Sequence, residues 1–126
     1  MKHITVLAFP RALGTSITLP VEMLNAADAH QRIQNPGCPR LTIDIASIDA
    51  EPISITGGIE IRPNKKLQDI KKTDLIIIPG MWGNPKPILQ RYPFITEWVH
   101  KQHQQDALIC ATGTGVCFLA EAGLLN

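Results

Sequence analysis

The 126-residue sequence has no apolar run long enough to cross a membrane, no Cys-x-x-Cys pair, no concentrated basic face and no internal repeat or low-complexity tract. Each absence excludes a class. Without a run approaching 20 apolar residues no transmembrane helix is expected, and no membrane partner is implied. The cysteines are three, Cys38, Cys110 and Cys117. Odd in number and unpaired in spacing, they argue against both a disulfide framework and a zinc site, and they point to a reducing compartment. Net charge is +1, and the basic residues are scattered apart from Lys65-Lys66 and Lys71-Lys72, so this chain alone offers no nucleic-acid surface. Lys2 precedes an apolar stretch, but Pro10 and Arg11 break it too early for a signal peptide, and Met1 to Phe9 reads as a first strand.

What is present is an ordinary globular composition, 44% hydrophobic and 18% charged, sized for one domain spanning residues 1–126. His3 to Phe9 is apolar on both alternating faces, as expected of the central strand of a parallel sheet. After a loop over Pro10 to Ser16, Thr18 and Pro20 predict a helix start, with the hydroxyl as cap and the proline in the first turn. That helix should run to about Ile33. Leu41 to Ile48 alternates and suits a strand near a sheet edge. Ile53-Ser-Ile55 and Ile59-Glu-Ile61 flank Thr56-Gly57-Gly58, predicting a small hairpin that decorates the sheet. Lys65 to Ile70 reads as a short helix, Thr73 to Ile78 as a buried parallel strand, Pro87 to Tyr92 as a helical turn or two. Pro93 opens a helix with Ile95, Trp98 and Val99 inward. The alternation predicts an α/β, flavodoxin-like three-layer sandwich with a mostly parallel central sheet.

The richest stretch is Ala107 to Leu125. An apolar run breaks at Thr112-Gly113-Thr114-Gly115 and resumes in good helix formers, predicting a buried strand that turns sharply into a buried helix. This is the nucleophile-elbow type of strand-turn-helix. Three loops should meet there, at the carboxyl ends of the strands: Pro10 to Ser16, Pro79 to Asn84 and Thr112 to Gly115. The N–H groups of Gly80, Thr114 and Gly115 are candidate donors to a carbonyl or carboxylate oxygen. Gly113, at the apex, has no side chain. Cys110 and Cys117 read as small core residues, with reactivity as the alternative. The Thr114 hydroxyl reads as a helix cap. Glu22 reads either as a first-turn carboxylate favoured by the helix dipole or as a crevice group. Met81 and Trp82 suit contact with a small apolar ligand, or plain packing. His100 and His103 share helical spacing for a metal, but only Glu97 lies nearby and no metal or cofactor is expected.

Leu19-Pro-Val-Glu-Met-Leu24, Asp74-Leu-Ile-Ile-Ile-Pro-Gly80 and Gly113-Thr-Gly-Val-Cys-Phe-Leu-Ala-Glu-Ala-Gly-Leu-Leu125 resemble the ThiJ/PfpI superfamily. More narrowly, they resemble the amidotransferase-like sensor domain at the amino end of AraC-type transcription regulators. The resemblance implies that Gly113 stands where the catalytic branch has its elbow cysteine, and Ser16 where a related branch has its acidic residue. It therefore implies a non-catalytic domain whose crevice of Arg11, Ser16, Glu22, Gly80, Met81, Trp82, Gly113, Thr114 and Gly115 binds a small-molecule effector. The expected partners are a second copy of the chain and, through a C-terminal helix-turn-helix unit absent from these 126 residues, DNA. The resemblance covers the first two-thirds of such a sensor domain, which makes this domain C-terminally incomplete. The rival expectation is an enzyme of the same superfamily using Cys110 or Cys117.

Overall fold

The structure, a computed structural model, describes residues 2–125. It begins with β1 (His3–Leu7), α1 (Gly14–Gln34) and β2 (Thr42–Ser47), followed by a hairpin of β3 (Ile53–Ser54) and β4 (Glu60–Ile61). Next come β5 (Lys65–Lys66), β6 (Leu75–Ile78), α2 (Lys86–Arg91), α3 (Pro93–Gln104), β7 (Leu108–Ala111) and α4 (Val116–Glu121). The five-stranded sheet has the order β5-β2-β1-β6-β7, and every neighbouring pair is parallel. Parallel neighbours need crossovers, which lay helices on the sheet faces. With β2 on one side of β1 and β6 on the other, the sheet is doubly wound, as the alternating pattern predicts. β1 is central and buried from Ile4 to Leu7.

Several elements differ from the sequence reading. α1 starts at Gly14, so Pro20 lies inside it and Thr18 donates its hydroxyl back to the Gly14 carbonyl at 3.1 Å instead of capping the helix. Proline removes the N–H that would reach the Ser16 carbonyl and its ring crowds that carbonyl, a cost the helix carries near its second turn. Lys65-Lys66 form an edge strand beside β2, and a 3₁₀ turn follows at Leu67–Asp69 where a helix was expected. β7 is the other edge strand and is not buried. Its register with β6, and β6 with β1, puts Ile4, Leu75 and Leu108 in one row of one face. Along that row exposure rises from 0% at Ile4 to 61% at Leu108, and Cys110 on the same face is exposed rather than part of the core. α4 is likewise only partly buried, with Phe118 its one fully enclosed residue.

The opposite face carries a polar clamp. The Thr5 hydroxyl donates to Thr73 at 2.9 Å, His3 Nε2 pairs with Asp44 at 2.7 Å, and His3 Nδ1 lies 2.8 Å from the Thr73 hydroxyl. Gln102 of α3 accepts from the Thr73 N–H and donates to the Lys71 carbonyl, while Trp98 Nε1 donates to the Ile70 carbonyl. Among the described residues no buried side-chain polar atom lacks a partner. The clamp thus holds α3 to the amino end of the sheet without the cost of unmade hydrogen bonds.

At that amino end Asp74 accepts the backbone N–H groups of Lys2 and His3, both at 2.9 Å. These two bonds hold its carboxyl below the usual carboxylate range. A depressed folded-state pKa contributes stability that is complete above the unfolded value and is lost as pH falls through the folded one. Acid unfolding of the wild type should therefore steepen below the ordinary carboxylate range. The Asp74→Asn variant should lose that part of the pH dependence in urea titrations at about pH 2 to 5, while differing least from wild type at the acid end.

Candidate functional site

Three loops meet at the carboxyl ends of β1, β6 and β7, and backbone bonds zip the first two together. Leu13 N–H donates to the Gly80 carbonyl at 2.9 Å, Trp82 N–H to the Arg11 carbonyl at 2.8 Å, and Ala12 bridges Met81 in antiparallel fashion. The Arg11 guanidinium folds back onto the Trp82 carbonyl at 2.6 Å. The loops of β1 and β6 are thereby joined into one short ribbon. The β3–β4 hairpin joins it too, since Thr56 N–H donates to the Ala12 carbonyl and the Thr56 hydroxyl accepts from Gly14 N–H at 3.3 Å. The hairpin is thus a wall of the site as well as a decoration of the sheet. Nothing in its alternating sequence distinguished Thr56 from other turn threonines.

The third loop is the elbow. β7 gives way to a 3₁₀ turn at Gly113–Gly115 that runs directly into α4. Gly113 sits at φ 51, in the left-handed region that disfavours a side chain. A Cβ built there would find only the Gly80 Cα, 4.0 Å away, so the space above the apex is open. Gly115 is the reverse: a Cβ would lie 2.5 Å from the Pro79 carbonyl oxygen and 2.8 Å from that of Ile78. Its lack of a side chain lets α4 start directly beneath the end of β6.

The sequence-derived site residues divide accordingly. Ser16, Gly80 and Gly113 come together, with the Ser16 hydroxyl 3.8 Å from where a Cβ on Gly80 would stand. The Thr114 hydroxyl accepts from Met81 N–H at 2.8 Å and donates to the Met81 carbonyl at 3.2 Å, so it latches the neighbouring loop and makes no cap. Gly115 is buried and its N–H is taken by the Thr112 carbonyl at 2.9 Å, which removes it from the donors facing the crevice. Met81 is 4% exposed and serves packing, whereas Trp82 is 69% exposed. With Leu13, Thr56 and Gly57, Trp82 lines an open depression of about 400 Å³. Glu22 is the ninth residue of α1, about 12 Å along the helix from its start. Its exposed carboxylate is therefore beyond the reach of the helix terminus. Cys117 lies in α4, partly buried. Among the described residues no group of three or more His, Cys, Asp or Glu side chains is placed to hold a metal, and His100 and His103 both face solvent.

Two substitutions separate the roles of the glycines. Gly115→Ala should cost roughly 1–3 kcal/mol or more in urea unfolding, because main-chain carbonyls must move to admit the methyl. Gly113→Ala should cost about 1–2 kcal/mol, the conformational penalty alone. Equal losses at the two positions would contradict the geometry described.

Comparison with known proteins agrees with this arrangement. Residues 2–126 match the model of the DJ-1/PfpI family. Over 82 residues, 65% of this chain and 24% of the relative, the sequence is 27% identical to the HTH-type transcriptional regulator CdhR of Pseudomonas aeruginosa. A candidate transcriptional regulator from Vibrio parahaemolyticus superposes with a TM-score of 0.82 at 26% identity, over 98% of this chain and 62% of that one. Oxidised DJ-1 from Toxoplasma gondii, at 19% identity, shares the fold with a TM-score of 0.77 over 99% of this chain and 63% of that chain. The chain thus spans under two-thirds of these solved relatives and about a quarter of the curated one. By its sequence match along nearly its whole length and by its doubly wound sheet ending in the elbow, this chain belongs to the DJ-1/PfpI family.

Proposed function

We propose that the chain is the non-catalytic ligand-sensing and dimerisation part of an AraC-type bacterial transcription regulator, working in the cytoplasm. The observation that carries the reading is the apex of the elbow. Gly113 holds the left-handed conformation and the open space suited to a presented nucleophile, yet has no atom with which to attack. Ser16, whose hydroxyl approaches the same Gly80, carries no carboxylate, which supports a crevice without a thiol and carboxylate pair. The similarity to two regulators supports the same reading. A small effector would settle against Trp82 and Gly113, with Thr114 fixing the loop beneath it. No cofactor or metal enters this scheme. Self-association is supported by Leu19 and Met23, one turn apart and 53% and 62% exposed on α1, and by the open edge of β7. DNA would be reached through a helix-turn-helix segment outside these residues. Effector binding regulates only if it favours one arrangement of the dimer or of that segment.

The rival is chemistry at a displaced thiol, and Cys110 keeps it testable because it is exposed. A nucleophilic cysteine is one with a depressed pKa. Iodoacetamide labelling near neutral pH, followed by mass spectrometry, should therefore modify Cys110 and Cys117 no faster than an unstructured peptide thiol. Faster labelling of either would favour the enzyme. For sensing, Trp82→Ala and Thr114→Val in a chain carrying its helix-turn-helix segment should change the effector dependence of DNA binding. If operator affinity were the same for both variants and wild type under every inducer condition, the sensing role would be refuted.

A further inference from the structure

A second concavity, of about 330 Å³, opens at the carboxyl ends of β1 and β2, against the junction of α2 and α3, and shares no lining residue with the elbow crevice. Its walls are apolar. Phe9 and Ile95 are 1% exposed, Ile53 of the hairpin is 8% exposed, and Phe94 and Tyr92 close one side. Polar groups reach it from two directions. On the β2 side, Ser47 and Asp49 are already engaged by their own turn: the Ser47 hydroxyl accepts from Ala50 N–H at 2.9 Å, and the Asp49 carboxylate from Glu51 N–H at 3.0 Å. On the α2 side stands Arg91, the last residue of that helix. Its guanidinium lies over the Tyr92 ring, 5.3 Å from the centroid, and among the described residues it makes no salt bridge. The cavity therefore pairs apolar walls with one cation that lies over an aromatic face and, among the described residues, is in no salt bridge.

We propose that this cavity is a binding site for a small monocarboxylate with an aromatic or branched apolar body. The volume is at the low end of ligand pockets, which limits the body to about one ring. Arg91 takes the carboxylate through its planar fork of donors, and the body lies between Phe94, Ile53 and Ile95. Asp49 also lines the cavity, and its carboxylate opposes added negative charge, so a dicarboxylate or phosphate is the weaker ligand. The proposal rests on the sensing reading only for the ligand's role as effector; the binding itself stands apart from it.

The test is a titration of the 126-residue chain with phenylacetate, phenylacetamide and inorganic phosphate, followed by amide chemical shifts in two-dimensional NMR. Phenylacetate should bind saturably and shift the amides of Ile53, Phe94 and Ile95, with phenylacetamide about tenfold weaker and phosphate weaker still. Arg91→Gln should remove the advantage of phenylacetate over phenylacetamide, and Arg91→Lys should restore part of it. Phe94→Ser should weaken both ligands alike. The proposal is overturned by any of three results: no saturable binding of phenylacetate, binding that Arg91→Gln leaves unchanged, or shifts confined to Trp82 and Thr114. Because Arg91 is exposed, its variants keep the wild-type spectrum elsewhere, and a collapsed spectrum for Phe94→Ser leaves the Arg91 pair to decide. Failure here leaves the elbow reading intact, since that is judged by DNA binding. Failure of the DNA experiment, which varies Trp82 and Thr114, would leave this site standing as a binding site.

Discussion

The contact on which the carboxyl end of the molecule depends is between Gly115 and the carbonyl oxygens of Ile78 and Pro79. Nothing larger than a hydrogen fits there, and so the start of α4 is fixed against the end of β6. Once that distance is set, Thr114 is carried to within hydrogen-bond reach of both polar groups of the Met81 backbone. Met81 is thereby aligned to bridge Ala12, and Ala12 to receive the N–H of Thr56. Four loops that are remote in sequence are locked by small groups and main-chain hydrogen bonds, with little side-chain bulk between them. Phe9 packs against Phe118 with the rings tilted by 47° and 5.2 Å between centroids, and closes the same corner from the core side.

A corner built this way is pre-organised. Its groups are ordered before anything binds, so an occupant does not have to supply the entropy of ordering them. The same rigidity explains how Gly113 keeps its left-handed backbone. The residues on either side are held by Thr112 N–H to the Ile78 carbonyl and by Gly115 N–H to the Thr112 carbonyl, and the apex has no alternative path. The conformation that would lift a side chain clear of the sheet occurs here at a position with no side chain to lift. Shape at this apex is therefore a property of its neighbours, independent of any chemistry performed there.

The parts legible in the sequence were those where one residue pattern had one structural solution. Continuous β-branched runs gave β1 and β6, Pro93 gave the start of α3, and paired Ile-x-Ile segments around two glycines gave the hairpin. The elbow was readable because glycine and threonine alternate where an apolar run breaks. What failed was what depends on neighbours. β7 has a core-like composition, yet among the described residues nothing pairs with its outer side, and local hydrophobicity does not fix a strand's place in the sheet. Pro20 suggested a helix start because proline is commonest there, while α1 began two turns earlier. Thr114 had the composition of a cap and the geometry of a latch. The cavity beside Arg91 was invisible for a similar reason, since its walls come from four separate segments and only one of its residues is charged and unengaged.

The two concavities lie on either side of the loop that follows β1, and this loop is the physical link between them. Pro10 lines the cavity, and the next residue, Arg11, holds Trp82 of the elbow crevice through its guanidinium and its carbonyl. Arg11 is itself left-handed at φ 71, a conformation that a residue of this size keeps only when both neighbours are pinned. Any movement of Pro10 therefore reaches Trp82 across one peptide unit, and with little slack, because the ribbon of Arg11 to Leu13 against Gly80 to Trp82 is bonded along its length. A ligand on one side can bias the other only to the extent that it prefers one position of this ribbon, and the strained Arg11 is the residue at which such a preference would be stored.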